Sequence, residues 1–526
     1  MVVTGLHLHL LAQQPSHYFD FEPSSSELIK RTVTKEEAVY VVDLQRPKFA
    51  TGIKGMSLDL SEDAILRTPL KLDSLSTPDY SNLNSTTIQV WVRSKPSAVM
   101  GSPIAGNLSS IFLGKTGWQI RSQENGAWAL YISDGKQDFE YVPTALRQKI
   151  NDGKWHQIVV SIDRKKEEIW MYFDGVNVAI YNTPELGSLH SEFATVIGGA
   201  DEKWEYGSGG QWYAFNGYID EVKIWDRTLN SKEVSDLFRD ATGIKPTQSN
   251  ESPSQLKVMA WNIWHGGHRY GHAVGLQRVI KLIKESDADL VGLIETYGSG
   301  EEIADSLGYY FYLISSNLSI MSRYPIVETV RAFKPFNFGG AKLALSDQQE
   351  LIFLNTWLHY LPSYSTSVKE GKSVEYMISE EGKTRHDEIQ KILTEVKPVY
   401  SNAMEIPVIM SGDFNSGSHL DWVSDTKDIH SGYVIEWPVS KEMAKAGFTD
   451  SYRELHVNAL LDPGLTWTPR AATSSDKYGL RDRIDYIYYK GDVLQAIESK
   501  ILDDHPIMFP SDHAAVITVF ALKSIP

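Results

Sequence analysis

The first half of the chain alternates apolar and polar residues in short runs. Residues 87–92, 155–162 and 168–173 follow this pattern, and a period of two is typical of half-buried β-strands. An Asp174-Gly175 turn follows the third run, and the alternation then resumes, which predicts a β-hairpin. Short strands, glycine-rich turns and no long helical pattern together predict an all-β sandwich or jelly roll.

The second half alternates short apolar runs with amphipathic helical patterns. Apolar residues recur at helical spacing in 276–283 and 389–396, and each stretch precedes a strand-like run, at 290–294 and 408–410. Strands that alternate with helices are typical of α/β domains. We therefore expect an α/β fold in this half.

The change of pattern divides the chain into two domains. A length of 526 residues exceeds what one hydrophobic core usually supports. The expected organisation is a leader or disordered segment at 1–37, the jelly-roll sandwich at 38–245, a polar linker at 246–254 and the α/β domain at 255–526. Proline, serine, threonine and asparagine dominate the linker.

The charge and the cysteine count narrow the function. The formal net charge is −16, and from Gln255 onward 26 Lys and Arg stand against 35 Asp and Glu. Binders of nucleic-acid backbones normally present a basic face, so the acidic balance makes long nucleic acids the less favoured substrate. The lack of cysteine excludes disulfides and thiolate metal sites.

The N-terminus leaves the compartment open. Residues 1–14 contain a short apolar stretch without a basic region before it, so they are either the remnant of a signal peptide or a disordered tail. Secretion or a periplasmic location is the favoured expectation, with a cytoplasmic location still open. No apolar run reaches the roughly 18 residues of a membrane span.

Polar clusters follow or open the apolar runs of the second half. Carboxylate and amide oxygens are the ligands that Mg²⁺ prefers, and such an ion weakens the repulsion between a phosphate ester and a nucleophile. His513 is the expected general base, because the ordinary histidine pKa lies near neutral, and Asp485 is expected to orient it. The clusters contain Asn262, Glu295, Asp413, Asn415, Asp485, Asp512 and His513.

These motifs resemble the endonuclease/exonuclease/phosphatase superfamily, which contains exonuclease III, sphingomyelinase and inositol-polyphosphate phosphatases. The resemblance spans 255–522 and implies a four-layer α/β sandwich with one site at the strand ends. It implies that Glu295 is the main metal ligand, with Asn262 beside it, and Asp512 holds a second ion or a water. It also implies that Asp413 handles a nucleophile or leaving-group proton and that Asn415 binds phosphoryl oxygens. We expect these last two to point the same way, as alternate residues of one strand end.

One motif departs from that family. The usual Asn-Thr-His-Leu reads Asn355-Thr356-Trp357-Leu358-His359 here, so a tryptophan occupies the position of the phosphate-contacting histidine. His359 either takes over this contact from the same strand face or contacts the leaving group, with Trp357 as an apolar wall and Tyr360 in the same pocket. His265, in the loop after Asn262, binds phosphate or a second metal, or is only a polar loop residue.

The first half resembles a laminin-G-like, concanavalin-type lectin domain over about 40–243. The likeness rests on residues 152–156, on the hairpin and on residues 215–229. The tryptophans and tyrosines at 204–213 either belong to the core, which we favour, or stack on sugar rings. Calcium, which some relatives of this kind bind, is a further option.

The sequence therefore predicts a metal-dependent phosphoesterase with an appended lectin-like sandwich. Magnesium is the expected cofactor, with manganese or another divalent ion open. The favoured substrate is a phosphodiester that is small or linked to a lipid or glycan. An extracellular nuclease, or an inactive hydrolase that binds glycans or surfaces, remains the alternative, and the oligomeric state stays open.

Overall fold

The computed structural model describes residues 14–23, 29–31, 48–61, 70–71, 80, 85–98, 101–108, 116–200, 214–246, 252–468 and 480–523. The chain divides into two compact units, unit 1 at residues 1–247 and unit 2 at residues 248–526. The aromatic residues at 204–213 and most of the predicted linker lie outside the described residues. In the described part of the chain, the helices are too short or too polar to cross a membrane.

The described part of unit 1 consists mainly of β-strands. Its strands are β1 (His17–Pro23), β2 (Ile29–Arg31), β3 (Lys48–Thr51), β4 (Met56–Asp59), β5 (Leu70–Lys71), β6 (Ser85–Arg93), β7 (Pro103–Gly106), β8 (Thr116–Ser122), β9 (Trp128–Asp134), β10 (Asp138–Tyr141), β11 (His156–Asp163), β12 (Glu168–Phe173), β13 (Val176–Asn182), β14 (Val196–Ile197) and β15 (Tyr218–Trp225).

These strands form the two sheets of a sandwich, as predicted. One has the order β2-β1-β15-β6-β11-β12-β13, with β4 beside β15 and β3 beside β4, and the other has the order β10-β9-β8-β7-β14-β5. The predicted hairpin is confirmed, because β12 and β13 pair antiparallel. Asp174 and Gly175 between them have φ angles of 49° and 77°, which a two-residue turn of this hand requires.

Three elements of unit 1 differ from the prediction. Strands β1 and β2 lie inside the segment predicted as a leader, and β1 pairs with β15, because its alternation buries Phe19 and Phe21 completely. A helix, α1 (Ser231–Thr242), follows β15, so the expectation of no long helix was wrong there. Asn230 caps this helix, and its Oδ1 accepts from the backbone N of Glu233 at 3.0 Å.

The described part of unit 2 contains both strands and helices. Its strands are β16 (Gln255–Asn262), β17 (Leu290–Ile294), β18 (Tyr310–Leu313), β19 (Leu318–Ser322), β20 (Ile326–Val330), β21 (Phe338–Ala344), β22 (Glu350–Trp357), β23 (Val408–Asp413), β24 (Thr449–Asp450), β25 (Asp485–Lys490), β26 (Leu494–Leu502) and β27 (Ala515–Leu522). Its helices are α2 (His272–Ser286), α3 (Gly300–Leu307), α4 (Tyr364–Lys369), α5 (Val374–Gly382), α6 (Arg385–Glu395), α7 (Lys397–Ser401), α8 (Pro438–Lys445) and α9 (Ser451–Leu455).

The two sheets of unit 2 share one plan. Their orders are β18-β19-β17-β16-β27-β26 and β20-β21-β22-β23-β25-β24. Each has one parallel pair at its centre, β16 with β17 and β22 with β23, flanked by antiparallel strands. The carboxyl ends of the four central strands and the amino ends of β25 and β27 therefore lie at the same edge of their sheets.

The sheets of unit 2 face each other closely. Asn355 Nδ2, on β22, donates to the backbone oxygens of Leu293 and Ser319 in the other sheet, at 2.9 and 3.1 Å. A Cβ on Gly292 would stand 2.3 Å from Ser411 Oγ, so this approach requires a glycine. Helix α6 packs Ile389 and Ile392 into the core on the second sheet, and the predicted α/β sandwich is confirmed.

Candidate active site

The shared edge of the two sheets brings most of the candidate side chains together. Asn262 ends β16, Glu295 follows β17 and Asp413 ends β23. Asp485 begins β25 and is the register partner of Asp413, while His513 lies two residues before β27. The antiparallel strands β25 and β27 thus place Asp485 and His513 at the edge where the parallel strands end.

Glu295 and Asn262 contact each other across the parallel pair β16 and β17. Asn262 Nδ2 donates to Glu295 Oε1 at 3.3 Å and to Asp413 Oδ2 at 3.1 Å. The amide nitrogen, rather than the amide oxygen, therefore lies between the two carboxylates. The Asn262 oxygen accepts from the backbone N of Trp264 at 3.0 Å, so Asn262 would have to turn its amide over to present oxygen to a cation beside Glu295.

Asp413, Asp485 and His513 form a buried cluster. Each has a side-chain nitrogen or oxygen within 4.8 Å of the other two, and the three residues are at most 6% exposed. His513 Nδ1 lies 2.9 Å from Asp485 Oδ2, which leaves Nε2 as the ring nitrogen not held by Asp485. Among the described residues, no donor reaches the buried Asp485 Oδ1.

The charges of this cluster shift its protonation. Burial by itself lowers the pKa of His513, but the charges of Asp485 and Asp413 and the Asp485 hydrogen bond outweigh it and raise that pKa to about 10. Burial, followed by the charge of Asp485, raises the pKa of Asp413 to about 7. His513 therefore does not have the ordinary, near-neutral pKa that was expected of it, because the folded site favours its imidazolium form.

Asp512 supplies the observation that fits a bound cation. Its Oδ1 is buried and has no hydrogen-bond partner within the described residues. Burial raises the pKa of Asp512, His513 opposes this shift, and the charge of Glu295 adds to it. A divalent cation stabilises a buried carboxylate that has an unpartnered oxygen and is repelled by a second carboxylate. Hard oxygen ligands suit magnesium in particular. Glu295 and Asp512 thus fit such an ion.

Among the described residues, one group of three side chains has possible metal-binding atoms close together, Asp413 with Asp485 and His513. The hydrogen bond between Asp485 and His513 occupies one atom of each residue. This hydrogen bond is better suited to orienting the imidazole of His513 than to binding a metal ion with these three side chains. The described part of unit 1 has no such group, and calcium there stays a prediction.

Asn415 does not follow the strand alternation that was expected of it. Strand β23 ends at Asp413, and Asn415 has a φ of 50°, so the expectation from a shared strand face was wrong. Asp413 Oδ1 instead accepts from the backbone N of Asn415 at 3.0 Å, as in an Asx turn. Asn415 Nδ2 donates to the backbone oxygen of Leu358 at 2.9 Å.

Strand β22 also ends earlier than the argument about His359 requires. Trp357 is its last residue, so strand geometry does not place His359 on the same face. The backbone N of His359 donates to Glu388 Oε2 at 2.8 Å, and its Nδ1 lies 3.0 Å from the backbone N of Leu361. The His359 ring stacks on Tyr360 with centroids 5.3 Å apart.

His265 lies beside Glu295, as the sequence suggested. Its backbone N donates to Glu295 Oε2 at 3.0 Å, and its Nε2 lies 4.0 Å from the same oxygen. Arg269 Nη2 lies 2.7 Å from His265 Nε2, and the ring of Tyr297 stacks on His265 with centroids 5.4 Å apart. The guanidinium of Arg269 and the rings of His265 and Tyr297 thus lie on the Glu295 side of the site.

Three polar residues that hold the site were missed from the sequence. Asn317 Oδ1 accepts from the backbone N of Glu295 at 3.2 Å. Thr466 Oγ1 accepts from the backbone N of Asp485 at 3.1 Å. Ser511 Oγ donates to the Asn262 backbone oxygen at 2.7 Å. Only Ser511 carried a signal, since it stands in the same short motif as His513.

Comparison with family models assigns both units. Residues 259–513 match the model described as the Endonuclease/Exonuclease/phosphatase family, and residues 71–235 match the Concanavalin A-like lectin/glucanases superfamily. Unit 2 is thus an endonuclease/exonuclease/phosphatase domain with the fold of phosphoesterases and nucleases. Unit 1 is a concanavalin A-like domain, so both resemblances seen in the sequence are confirmed.

Two curated proteins illustrate the similarity. The uncharacterized protein F14F9.5 of Caenorhabditis elegans is 28% identical over 295 residues, which cover 51% of this chain and 92% of that protein. The non-toxic nonhemagglutinin type E of Clostridium botulinum is 23% identical over 242 residues, which cover 44% of this chain and 18% of that protein.

Two solved structures align with about half of the chain. D. rerio TDP2 complexed with a single strand DNA product aligns at 17% identity with a TM-score of 0.36, over 51% of this chain and 99% of that chain. An AP endonuclease from Archaeoglobus fulgidus aligns at 17% identity with a TM-score of 0.37, over 51% of this chain and 100% of that chain.

Proposed function

We propose that unit 2 is a divalent-metal-dependent phosphodiesterase that hydrolyses its substrate by attack of a water molecule. The observation that supports this most directly is the buried cluster of Asp413, Asp485 and His513 beside the Asn262 and Glu295 pair. Magnesium is the proposed cofactor, since the fitting ligands are carboxylate oxygens.

Each side chain of the site has a proposed part. Glu295 and Asp512 would hold the cation, and Asn262 would add its oxygen only if its amide were turned over. The bound cation supplies charge that offsets the phosphate anion. In its neutral form, which the charge of a bound cation would favour by opposing the carboxylates around it, His513 receives the proton of the attacking water at Nε2, and Asp485 holds Nδ1 and stabilises the imidazolium that results.

Asp413 and Asn415 complete the proposed site. Burial, followed by the charge of Asp485, raises the pKa of Asp413 to about 7, so Asp413 can hold a proton near neutral pH, and it is proposed to pass this proton to the leaving oxygen. Asn415 is proposed to bind a phosphoryl oxygen, although its side chain donates to the Leu358 oxygen here. Binding of substrate would therefore exchange one acceptor for another.

The proposed substrate is a phosphodiester that is small or linked to a lipid or glycan. The net charge of −16 supports this choice, because a long polyanion would be repelled unless a local basic patch met it. The appended concanavalin A-like domain also supports it. A panel of lipid and sugar phosphodiesters set against plasmid DNA separates this proposal from a nuclease.

Removal of metal tests the mechanism. We expect excess chelator to abolish hydrolysis of bis(p-nitrophenyl) phosphate and Mg²⁺ to restore it. Loss of even an outer partner of a metal ligand costs about 10- to 100-fold in affinity, so Glu295→Gln should raise the Mg²⁺ concentration for half-maximal activity at least about tenfold. It should also shrink the rise in Tm that Mg²⁺ produces.

Glu285→Gln is the matched control, because Glu285 on α2 is 60% exposed and pairs only with Lys281 in the ion pairs seen here. It should keep the wild-type response to Mg²⁺ in both measurements. Hydrolysis that continues unchanged in excess chelator would refute the metal mechanism, whichever substrate is used.

A further inference from the structure

Four rings form a cluster beside the site, which we call the ring cluster; two are exposed, Phe336 and Tyr360, and two are half-buried, Trp357 and His359. The Trp357 centroid lies 5.6 Å from that of Phe336 at an interplanar angle of 87°, and 6.2 Å from that of Tyr360. His359 and Tyr360 stack at 10°. Phe336 is 41% and Tyr360 is 54% exposed.

The ring cluster adjoins the proposed catalytic groups through the strand register. Trp357 is the partner of Asp413 across the parallel pair β22 and β23, and partners on adjacent strands project from the same face. Asn355 lies two residues before Trp357 and reaches into the opposite sheet. Trp357 shares that face, so its ring lies beside Asp413 on the side of the second sheet that faces the first.

Buried hydrogen bonds fix the ring cluster relative to the site. Asn337 clamps Trp357 from both sides, since its backbone oxygen accepts from Trp357 N at 2.8 Å and its Nδ2 donates to Trp357 O at 3.0 Å. Asn317 Nδ2 donates to Phe336 O at 2.9 Å, and its Oδ1 accepts from Glu295 N. One buried asparagine thus links the proposed metal ligand to the rings.

Exposed rings on a rigid backbone suit a planar ligand. Aromatic side chains left in water forgo the stabilisation that burial would give. Stacking of a second ring removes this apolar surface from water and adds a favourable quadrupole contact. Because the backbone is already fixed, little ordering is needed when such a ligand binds.

We propose that the ring cluster is a subsite that binds a planar aromatic ring carried by the substrate next to its phosphate. The proposal rests on the proposed function only in placing the phosphate at the Glu295 and Asp413 site. Among the substrates of that proposal it selects the small phosphodiesters and, among these, the esters with an aromatic group. A nucleobase and a simple aryl group share this chemistry.

Calorimetric binding to the full chain with Mg²⁺ tests the subsite without requiring turnover. The ligands are phenyl phosphate, cyclohexyl phosphate, methyl phosphate and adenosine 5′-monophosphate. We expect phenyl phosphate to bind about tenfold or more tightly than methyl phosphate, the range of one stacking contact, and also more tightly than cyclohexyl phosphate. Equal affinities for phenyl and cyclohexyl phosphate would overturn the proposal, because the surface would then be merely apolar.

Variants test whether these four rings are responsible. Trp357→Ala should bring the ratio of phenyl to methyl phosphate affinity close to one. Phe336→Ala should lower the ratio as well, and its exposed position gives a second test if Trp357→Ala fails to fold. Tyr376→Ala, which removes a 43% exposed ring on α5, should leave the ratio at the wild-type value. A wild-type ratio in both Phe336→Ala and Trp357→Ala would overturn the proposal.

The remaining ligand identifies the source of the ring. Tighter binding of adenosine 5′-monophosphate than of phenyl phosphate supports a nucleobase, and the reverse supports a simple aryl ester. Failure of the proposed function gives a different result: no hydrolysis of any phosphodiester in the panel, irrespective of these affinity ratios. The two failures are therefore distinguishable.

Discussion

Buried groups hold both the backbone and the ring of His513. Trp261 Nε1 donates to its backbone oxygen at 2.9 Å, and Asp485 holds Nδ1. An imidazole fixed in this way keeps one tautomer, with Nε2 directed away from Asp485. The neighbouring carboxylates favour the imidazolium, so His513 must lose this proton before it can act as a base, and a cation bound nearby would favour that loss.

Replacement of this residue gives the first prediction at the residue scale. His513→Ala should lower kcat by about 10² to 10⁴, the usual contribution of a positioned acid or base. Asp485→Asn should also lower it, because an amide can bond to the wrong tautomer. Rates on a chromogenic phosphodiester measure both effects, with His190→Ala on the exposed surface of unit 1 as control. A loss below tenfold in both site variants would show that the base is misassigned.

The sequence was a good guide to which residues meet and a poor guide to how they are held. Five residues of the site were predicted from their places at strand ends, because polar residues next to apolar runs collect where the strands of a sheet end. They are Asn262, Glu295, Asp413, Asp485 and His513. Asn317 and Thr466 act through single hydrogen bonds to backbone groups far away in sequence. Such partners depend on the packing of two sheets, which no local pattern encodes.

At the scale of elements, the errors arose where a strand stopped. The prediction assumed that the alternation of side-chain faces continues for two residues beyond the ends of β22 and β23, to His359 and Asn415. The positive φ of Asn415 turns the chain out of the strand, and an Asx turn replaces the ladder. Asparagine tolerates this conformation better than most residues, so Asp-Phe-Asn could have indicated the turn.

Helix α1 and strand β1 are elements that the sequence analysis did not predict, although each had a local signal. Asn230 and Glu233 form a capping box, and Gly243 closes the helix with a φ of 74°. These are standard start and stop signals. In β1, Phe19 and Phe21 alternate with polar residues. Both signals were short and stood beside strongly strand-like or structureless sequence, which hid them.

His156, on β11, links the pH dependence of stability to the turn between β12 and β13. Its Nδ1 lies 2.8 Å from Asp174 Oδ2 and its Nε2 lies 3.0 Å from Asp152 Oδ1. Burial lowers the pKa of His156, but the hydrogen bonds and charges of Asp174 and Asp152 outweigh it, and the net pKa is raised. Protonated His156 is therefore favoured in the folded state.

This arrangement predicts the sign of the effect. A raised pKa contributes stability that is fully present below the unfolded value of about 6.5 and is lost as pH rises through the folded pKa. Urea unfolding between pH 5.5 and about 8.5 should thus show the difference between wild type and His156→Gln shrinking as pH rises. The His156 ring also stacks on Phe173, with centroids 5.1 Å apart, and the loss of this stack in His156→Gln does not depend on pH. A difference that grows with pH would contradict the prediction.

At the scale of the whole molecule, the two units carry different chemistry. All the proposed catalytic and metal-binding residues lie in unit 2, between Asn262 and His513. Unit 1 is a concanavalin A-like domain without a cluster of metal-binding side chains among its described residues. A role in attachment to a surface or glycan would therefore leave the hydrolytic site chemically complete in unit 2.

Removal of unit 1 tests this division of labour. A fragment of residues 248–526 has its own buried core of two facing sheets with helices outside, and domains of this size commonly fold alone. We expect it to hydrolyse a small soluble phosphodiester with kcat/KM within about threefold of the full chain, because separable domains keep their own sites. The fragment with Glu295→Gln is the inactive control. A soluble, folded fragment without activity that recovers when unit 1 is added would mean that both units build the site, and an insoluble fragment would mean that unit 2 requires unit 1 to fold.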